Sequence, residues 1–393
     1  MLRAGVGHSI AGSPATAAAE ATAAALRQAG LRTADAALCF ATTAHGGAYP
    51  LIMRTVAERA GTPNVVGCSA AGVIANEHEI ESGAALAVIV VAGVTAQRIF
   101  IPTLRGNGQK VAAELAAAAS GVKGPALLCL LPDTYNLEPA ELFDPLSAAL
   151  APDVVLTGGG ASEDGSIGET FQFCGDTVSS NSVSGLILSG DINFDIGASL
   201  ACAPLGRGHR VTAVRDNVLV ELDDRPAFEV FAEEAGPLAT NLRRAMACVF
   251  AAIPYDPDAA AITRGNYRAR NIVGASPEHG MLAIVHAPRI GDLIGFALRD
   301  PESARNDLKL TLDELHDRSL VPPVFGLYFN CVSRGRGLYD IPGHDVAYIR
   351  QSLGPIPIGG FFTGFEIGPA GPAPGFLQYS GVLTLAGDAV IKH

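Results

Sequence analysis

Two short stretches carry the side chains with which this chain could do chemistry. In "NVVGCSAAGV", Asn64 to Val73, an apolar run climbs to Gly67 and then presents Cys68 and Ser69 among small residues. A nucleophile there needs a base within hydrogen-bond reach and donors for an oxyanion. The stretch is not G-x-S-x-G, because Gly67 directly precedes Cys68. The competing reading is a tight turn where nothing larger fits. In "CVSRGRG", Cys331 closes an apolar run, and Arg334 and Arg336 stand among glycines. A guanidinium in such a loop can hold a carboxylate through two parallel bonds, or pair with a structural acid such as Glu366 or Asp340. Glu366, alone in the aromatic stretch "FFTGFEIG", could accept a ligand ammonium group or neutralise Arg334, since a buried carboxylate is costly unless paired.

Three segments could position these groups, each in the order strand, loop, helix, strand, small-residue turn, excursion, strand. They begin at "AALCFATTAHGG", "ALLCLLPDTYN" and "LYFNCVSRGRG". Cys39, Cys129 and Cys331 lie in their first strands, and one spacing leads from each to Cys68, Gly158 and Gly360. The expected unit is β-α-β-β, used three times, with the first two strands parallel. The fold class is α/β in the mixed α+β sense, with sheets flanked by helices. Ligands of such sheets sit off the carboxyl ends of the strands. Gly67–Ser69, Gly158–Gly160 and Gly359–Phe361 are therefore expected to line a cavity, with Phe361 and Phe362 as one wall. The loop holding His45, in "TTAHGG", lies at the same end. Alternating stretches such as "RVTAVRDNVLVELD" predict antiparallel strands. A boundary near residue 205 separates 1–205, with two units, from 206–393, with antiparallel strands and the third.

Composition narrows the partners. Net charge is −12 without a Lys/Arg cluster, which argues against a nucleic-acid partner. No apolar run reaches the roughly 18–20 residues of a membrane helix. "SPATAAAEATAAALRQAG" predicts a first helix, started by Ser13–Pro14 and stopped at Gly30, in place of a signal peptide. Seven scattered cysteines without a CxxC pair suit a reduced, cytoplasmic setting and no metal site. "TGGG", Thr157 to Gly160, lacks the Lys-Ser/Thr of a phosphate loop, and Glu163 and Asp164 follow it.

With "NVVGCSAAGVI", "FALRDPESARNDLKLTLDEL", "FGLYFNCVSRGRGLYD" and "IPIGGFFTGFEIGP" in this order, the chain resembles the bacterial FIST family, in its FIST-N and FIST-C modules. The resemblance covers nearly the whole chain. It implies a sensory, signal-transducing domain that binds a small ligand, often an amino acid, without turning it over. The implied partner is a separately encoded histidine kinase or cyclic-dinucleotide enzyme. On this reading Arg334 holds a carboxylate and Glu366 a cationic group, and Gly67, Cys68, Ser69, Gly158, Gly159, Gly160, Cys331, Gly359, Gly360 and Phe361 line the site. No cofactor is expected. One alternative is a haem-binding nitric-oxide sensor with His45 as the ligand to haem b. Another is a thiol-dependent enzyme built on Cys68.

Overall fold

Each repeat begins one strand and one helix earlier than its sequence signature. The computed structural model describes residues 1–389. The first copy runs β1 (Arg3–Ser9), α1 (Pro14–Ala29), β2 (Ala36–Thr42), α2 (Tyr49–Ala60), β3 (Val65–Ala70), the hairpin β4 (Val73–Ala75) and β5 (His78–Ile80), and β6 (Leu86–Ala92). The second follows with β7 (Thr95–Pro102), α3 (Gly108–Ser120), β8 (Ala126–Pro132), α4 (Pro139–Ala149), β9 (Val154–Gly159), the hairpin β10 (Gln172–Cys174) and β11 (Thr177–Ser179), and β12 (Ser182–Ser189). The third opens with β13 (Ile192–Leu200) and is then interrupted.

The interruption is a second compact unit, residues 200–307 with 370–373; the first unit comprises, of the described residues, 1–199, 308–369 and those from 374 onward. The chain is thus not divided at one point, because the unit left at Ser199 resumes at Leu308. The second unit holds β14 (Cys202–Arg215), β15 (Val218–Leu222), β16 (Arg225–Pro226), α5 (Ala227–Ala235), α6 (Leu242–Cys248), β17 (Val249–Pro254), β18 (Tyr267–Ser276), β19 (Met281–Ile284) and β20 (Leu293–Arg299). Its strands form one antiparallel sheet in the order β14-β20-β17-β18-β19-β15-β16. Alternate residues such as Val249, Ala251 and Ile253 pack with Val230 and Phe231 of α5. The alternating stretch 210–223 forms the antiparallel pair of β14 and β15, as its pattern predicts.

The third copy resumes with α7 (Pro301–Arg318), β21 (Phe325–Cys331), α8 (Arg336–Tyr339), α9 (His344–Leu353), β22 (Ile358–Thr363), the hairpin β23 (Glu366–Ala370) and β24 (Ala373–Leu377), and β25 (Ser380–Asp388). Three six-stranded sheets result, with equivalent orders: β1-β6-β2-β3-β10-β11, β7-β12-β8-β9-β23-β24 and β13-β25-β21-β22-β4-β5. Each sheet ends in a hairpin taken from another copy. The second copy gives its hairpin to the first, the third to the second, and the first to the third. The exchange is cyclic, and it covers an edge strand that would otherwise present unpaired backbone groups.

The expected parallel pairs form as β2–β3, β8–β9 and β21–β22. Their register corrects the sequence alignment. Gly67 lies opposite Cys39, Gly158 opposite Leu130 and Gly360 opposite Tyr328. A Cβ on these glycines would stand 1.8, 1.9 and 1.8 Å from the carbonyl oxygens of Cys39, Leu130 and Tyr328. Only glycine permits that approach. Gly67, not Cys68, is therefore the counterpart of Gly158 and Gly360, and Tyr328, not Cys331, matches Cys39. A slip of one residue exchanges sheet faces, so Cys68 corresponds to Gly159 and Phe361.

The helix-facing side of the first sheet, including Ala37, Cys39, Ala41 and Val65, packs on Ala17, Ala21, Ile52 and Val56 of α1 and α2. Pro14 starts α1 and Gly30 ends it in the left-handed conformation at φ 64°, as the sequence predicts. On the opposite side Phe40 stacks on Phe361 with ring centres 4.6 Å apart, and Phe329 meets Phe361 edge-on at 5.8 Å. These buried rings join the first copy to the third.

Candidate ligand site

The small-residue bends after β3, β9 and β22 do meet, and they are knitted together directly. Ser162 N donates to Ser69 O at 3.1 Å, and Ser69 Oγ donates to Ser162 O at 3.1 Å. Ser162 Oγ donates to Phe362 O and accepts from Ala71 N. Phe362 N donates to Gly72 O at 2.9 Å. A Cβ at Gly159, Gly160 or Gly359 would meet Thr363, Phe365 or Ile89 within 2.4 Å. These glycines make close packing between copies possible. The Cys68 thiol is fully buried and pushed well up by burial, then by Cys129 and Cys39. A reactive cysteine needs the opposite shift, and Cys68 has no hydrogen bond to His45, whose ring nitrogens have no partner.

Arg334 is fully buried, and its partner is neither Glu366 nor Asp340 but Asp345, in the first turn of α9. Arg334 Nε donates to Asp345 Oδ2 at 3.0 Å and Nη2 to Oδ1 at 3.1 Å, the bidentate geometry expected for a carboxylate. Tyr328 Oη and Asn330 Nδ2 also donate to Asp345, at 3.0 and 3.1 Å. Burial alone would raise the Asp345 carboxyl, but Arg334, with Tyr339 and Tyr328, holds it below its ordinary range. Glu79, on the hairpin lent by the first copy, accepts from Gly343 N and Val346 N at 3.1 and 3.0 Å and so caps α9. Burial, with Asp345 nearby, pushes Glu79 up to about 7. Cys331 is equally enclosed; burial pushes its thiol up to about 12.

Glu366 has a counterpart that explains it. Glu366 lies opposite Gly159, and Gln172 lies opposite Cys68, which are equivalent positions. Gln172 Oε1 accepts from Ser182 N and Oγ, at 3.3 and 2.9 Å, at the start of β12. Glu366 Oε2 accepts from Ser380 N and Oγ, at 3.0 and 2.6 Å, at the start of β25. Thr363 Oγ1 lies 2.6 Å from Glu366 Oε1 and 3.1 Å from Asn330 O. A hydroxyl has one hydrogen. If Thr363 donates to Asn330 O, the shorter contact takes its proton from Glu366. Burial pushes this carboxyl up to about 7, so below that pH it is protonated and can take the place of a glutamine.

The loops after the first core strands differ in how their buried polar groups are satisfied. After β8, buried Asp133 accepts from Tyr135 N, Asn136 N and Asn181 N at 2.8, 3.0 and 3.0 Å. After β21, Arg334 is satisfied as described. After β2, His45 is 5% exposed and Tyr49 2% exposed, yet both His45 ring nitrogens and Tyr49 Oη lack a hydrogen-bond partner among the described residues. Tyr49 packs against Phe173 and Phe171 with ring centres 4.6 and 5.6 Å away. Burial lowers the His45 pKa, so the ring is neutral near pH 7 with one donor and one acceptor. Burial raises the Tyr49 phenol, with Cys68 and Asp164 adding to it, and keeps it a donor.

Access to this loop follows from its backbone. Residues Thr43–Ala48 form a short 3₁₀ turn broken at Gly46, which has φ 42° and ψ −134°. Cβ atoms placed on Gly46 and Gly47 would meet nothing within 4 Å, so the loop faces open space. Sequence reasoning named His45 but passed over Tyr49 and Asp345. The signal for Tyr49 lay four residues beyond His45, in "HGGAY". That for Asp345 was an acid in the first turn of a helix shortly after Arg334.

No helix among the described residues is long and apolar enough to cross a membrane. The chain matches the FIST N domain over residues 35–225 and the FIST C domain over 227–369. A protein of Mycobacterium tuberculosis is 30% identical over 374 residues, covering 94% of this chain and 95% of its own. One from Mycobacterium bovis is 29% identical over 339 residues, 85% of each chain. A crystal structure of cyanuric acid hydrolase from A. caulinodans aligns with 99% of this chain and 100% of its own, at a TM-score of 0.34 and 10% identity. With both modules matched in order across most of its length, the chain belongs to the FIST family of sensory small-ligand-binding domains.

Proposed function

We propose that this protein senses a small polar metabolite, an amino acid or related carboxylate, at the His45–Tyr49 loop and passes the signal to a separate partner. The observation that carries this reading is the pair of buried, unpartnered polar side chains after β2. Leaving a buried donor unmade costs about 1–3 kcal/mol, so a guest that accepts from Tyr49 and His45 recovers what the empty loop forgoes. The equivalent groups Asp133 and Arg334 are already satisfied by the protein itself. Arg334 is accordingly reassigned from ligand contact to internal ion pair.

A thermal-shift screen of amino acids, organic acids and haem tests the reading, since a ligand that binds the native form raises apparent stability. The expected result is a stabilising small metabolite whose effect disappears in Tyr49→Phe and His45→Ala. A hit retained by both variants would move the site elsewhere, and a screen without a hit would end the proposal. Haem is the rival guest, because an unpartnered imidazole is also what iron ligation requires. A Soret shift abolished by His45→Ala would identify it.

A further inference from the structure

We infer that the second unit carries a binding site for a small dianionic phosphate, free or as the monoester of a metabolite, formed by Arg268, Arg270 and His286 on one face of its sheet. These residues belong to a different compact unit from His45 and Tyr49, so neither site requires the other.

Strand register sets the groups side by side. In β18, Arg268 and Arg270 lie opposite Ile253 and Ala251 of β17, so both stand on one face, about 7 Å apart. Beyond Ile253 on that face comes Tyr255, whose N donates to Asn266 O at 2.9 Å. The Arg268 guanidinium carbon lies 5.1 Å from the centre of the Tyr255 ring. On the other side of β18, Ile272 pairs with Ile284, and Val285 N donates to Asn271 O at 2.9 Å. The next pair across is Arg270 and His286, and directly opposed residues of an antiparallel pair share a face. One row therefore runs from the end of β17 across β18 to the end of β19. All four of its side chains are half-buried, and none is closed off from solvent.

The row is basic and is not neutralised from within. Arg268 Nε is enclosed and has no hydrogen-bond partner among the described residues, although native proteins normally supply such a donor with one. Tyr255 supports the guanidinium through its ring face, which leaves the in-plane N–H groups for another acceptor. Arg270 Nη1 donates to Ala269 O at 3.0 Å, which steadies its fork. Asp256, next to Tyr255, turns back on its own loop and accepts from Asp258 N at 2.9 Å. Burial first, then Arg270 and Arg268, lower the His286 pKa against the opposing charge of Asp292. The helix packed on this strand, α6, carries Arg243 and Arg244 and no acid. In a chain of net charge −12 this is a local reversal of sign.

Two guanidiniums about 7 Å apart can each direct paired N–H donors at one tetrahedral anion between them. A dianionic phosphate has enough oxygens to meet both forks and an imidazole N–H together. A monocarboxylate, with two oxygens and one charge, satisfies a single fork.

Titration calorimetry of the full chain with inorganic phosphate, phenyl phosphate and acetate tests the assignment. At least one of the two phosphates is expected to bind about tenfold more tightly than acetate, and comparison of the two tells a site for free phosphate from one for an ester. R268A and R270A should each weaken that binding about tenfold or more. R268K keeps the charge but loses the fork, and should weaken it as well; it keeps the test decisive if R268A does not fold. K110A removes an exposed charge elsewhere and should leave binding unchanged. Acetate binding as tightly as phosphate, phosphate affinity untouched in R268K and R270A, or an equal loss in K110A would each overturn the site. So would the absence of binding by either phosphate.

Discussion

The loop after β2 and the loop after β21 occupy equivalent places in equivalent sheets, yet they handle buried polarity in opposite ways. After β21 a full charge, Arg334, is buried beside Asp345 with Tyr328, Asn330 and Tyr339 completing the network. After β2 two neutral side chains, His45 and Tyr49, are buried with their polar atoms unmet. The more highly charged site is the closed one. Chemical character alone points to Arg334 as the ligand contact, whereas satisfaction of hydrogen bonds points to His45 and Tyr49. A buried, hydrogen-bonded ion pair is a structural element, whereas orphaned donors at an open loop are the reason for placing the proposed ligand there.

Breaking the closed side of this comparison should have the largest effect. Arg334→Ala leaves Asp345 buried and unpaired and is expected to cost about 3–5 kcal/mol, read by urea unfolding. A similar loss is expected from Phe361→Ala, about 3–5 kcal/mol, because its ring fills the junction with Phe40 and Phe329. A change below about 1 kcal/mol in Arg334→Ala would show that the pair is not structural and return Arg334 to the list of ligand contacts.

Glu366 comes next, and its signature is pH dependence. Its folded carboxyl is raised from 4.5 to about 7. The folded state then keeps a proton the unfolded chain gives up, so the associated stability is complete below about pH 4.5 and is lost as pH rises through about 7. The shift corresponds to roughly 3 kcal/mol. Glu366→Gln, which copies the equivalent Gln172, should fold and flatten the stability profile over that window. Glu79, also raised to about 7, and Glu81, raised as well, add slope of the same sign, and the lowered His8, His45 and His286 add slope of the opposite sign. An unchanged profile in Glu366→Gln would mean the carboxyl is ionised in the fold.

The open side should respond least. Tyr49→Phe removes a hydroxyl that bonds to nothing, so stability should change by less than about 1 kcal/mol, in the favourable direction, while ligand binding is lost. A marked loss of stability in Tyr49→Phe would reveal a partner for the hydroxyl and remove the reason for placing a ligand there.

How far the chain could be read depended on the range of the interaction concerned. The parallel core pairs, the helix from Pro14 to its stop at Gly30, and the glycine bends were legible because strand periodicity and capping are local. Register was legible only to within one residue. "NVVGCSAAG" and "VVLTGGGAS" can be aligned on either Gly67 or Cys68, and the choice was made by a Cys39 carbonyl that admits no Cβ at Gly67. That each repeat opens with a further strand and helix was missed, although the first such helix was itself legible, because β1, β7 and β13 take their places only by pairing with β6, β12 and β25.

Sequence by itself determined that three similar strand–helix–strand segments would gather small residues at their carboxyl ends, because apolar patterning and glycine placement act over a few residues. The tertiary structure alone decided which polar groups meet. Asp345 reaches Arg334 from the first turn of α9, Gln172 and Glu366 arrive on hairpins exchanged between copies, and nothing among the described residues arrives for His45 and Tyr49. Hydrogen bonds and ion pairs act over about 3 Å in space and carry no trace of the distance along the chain between the groups they join.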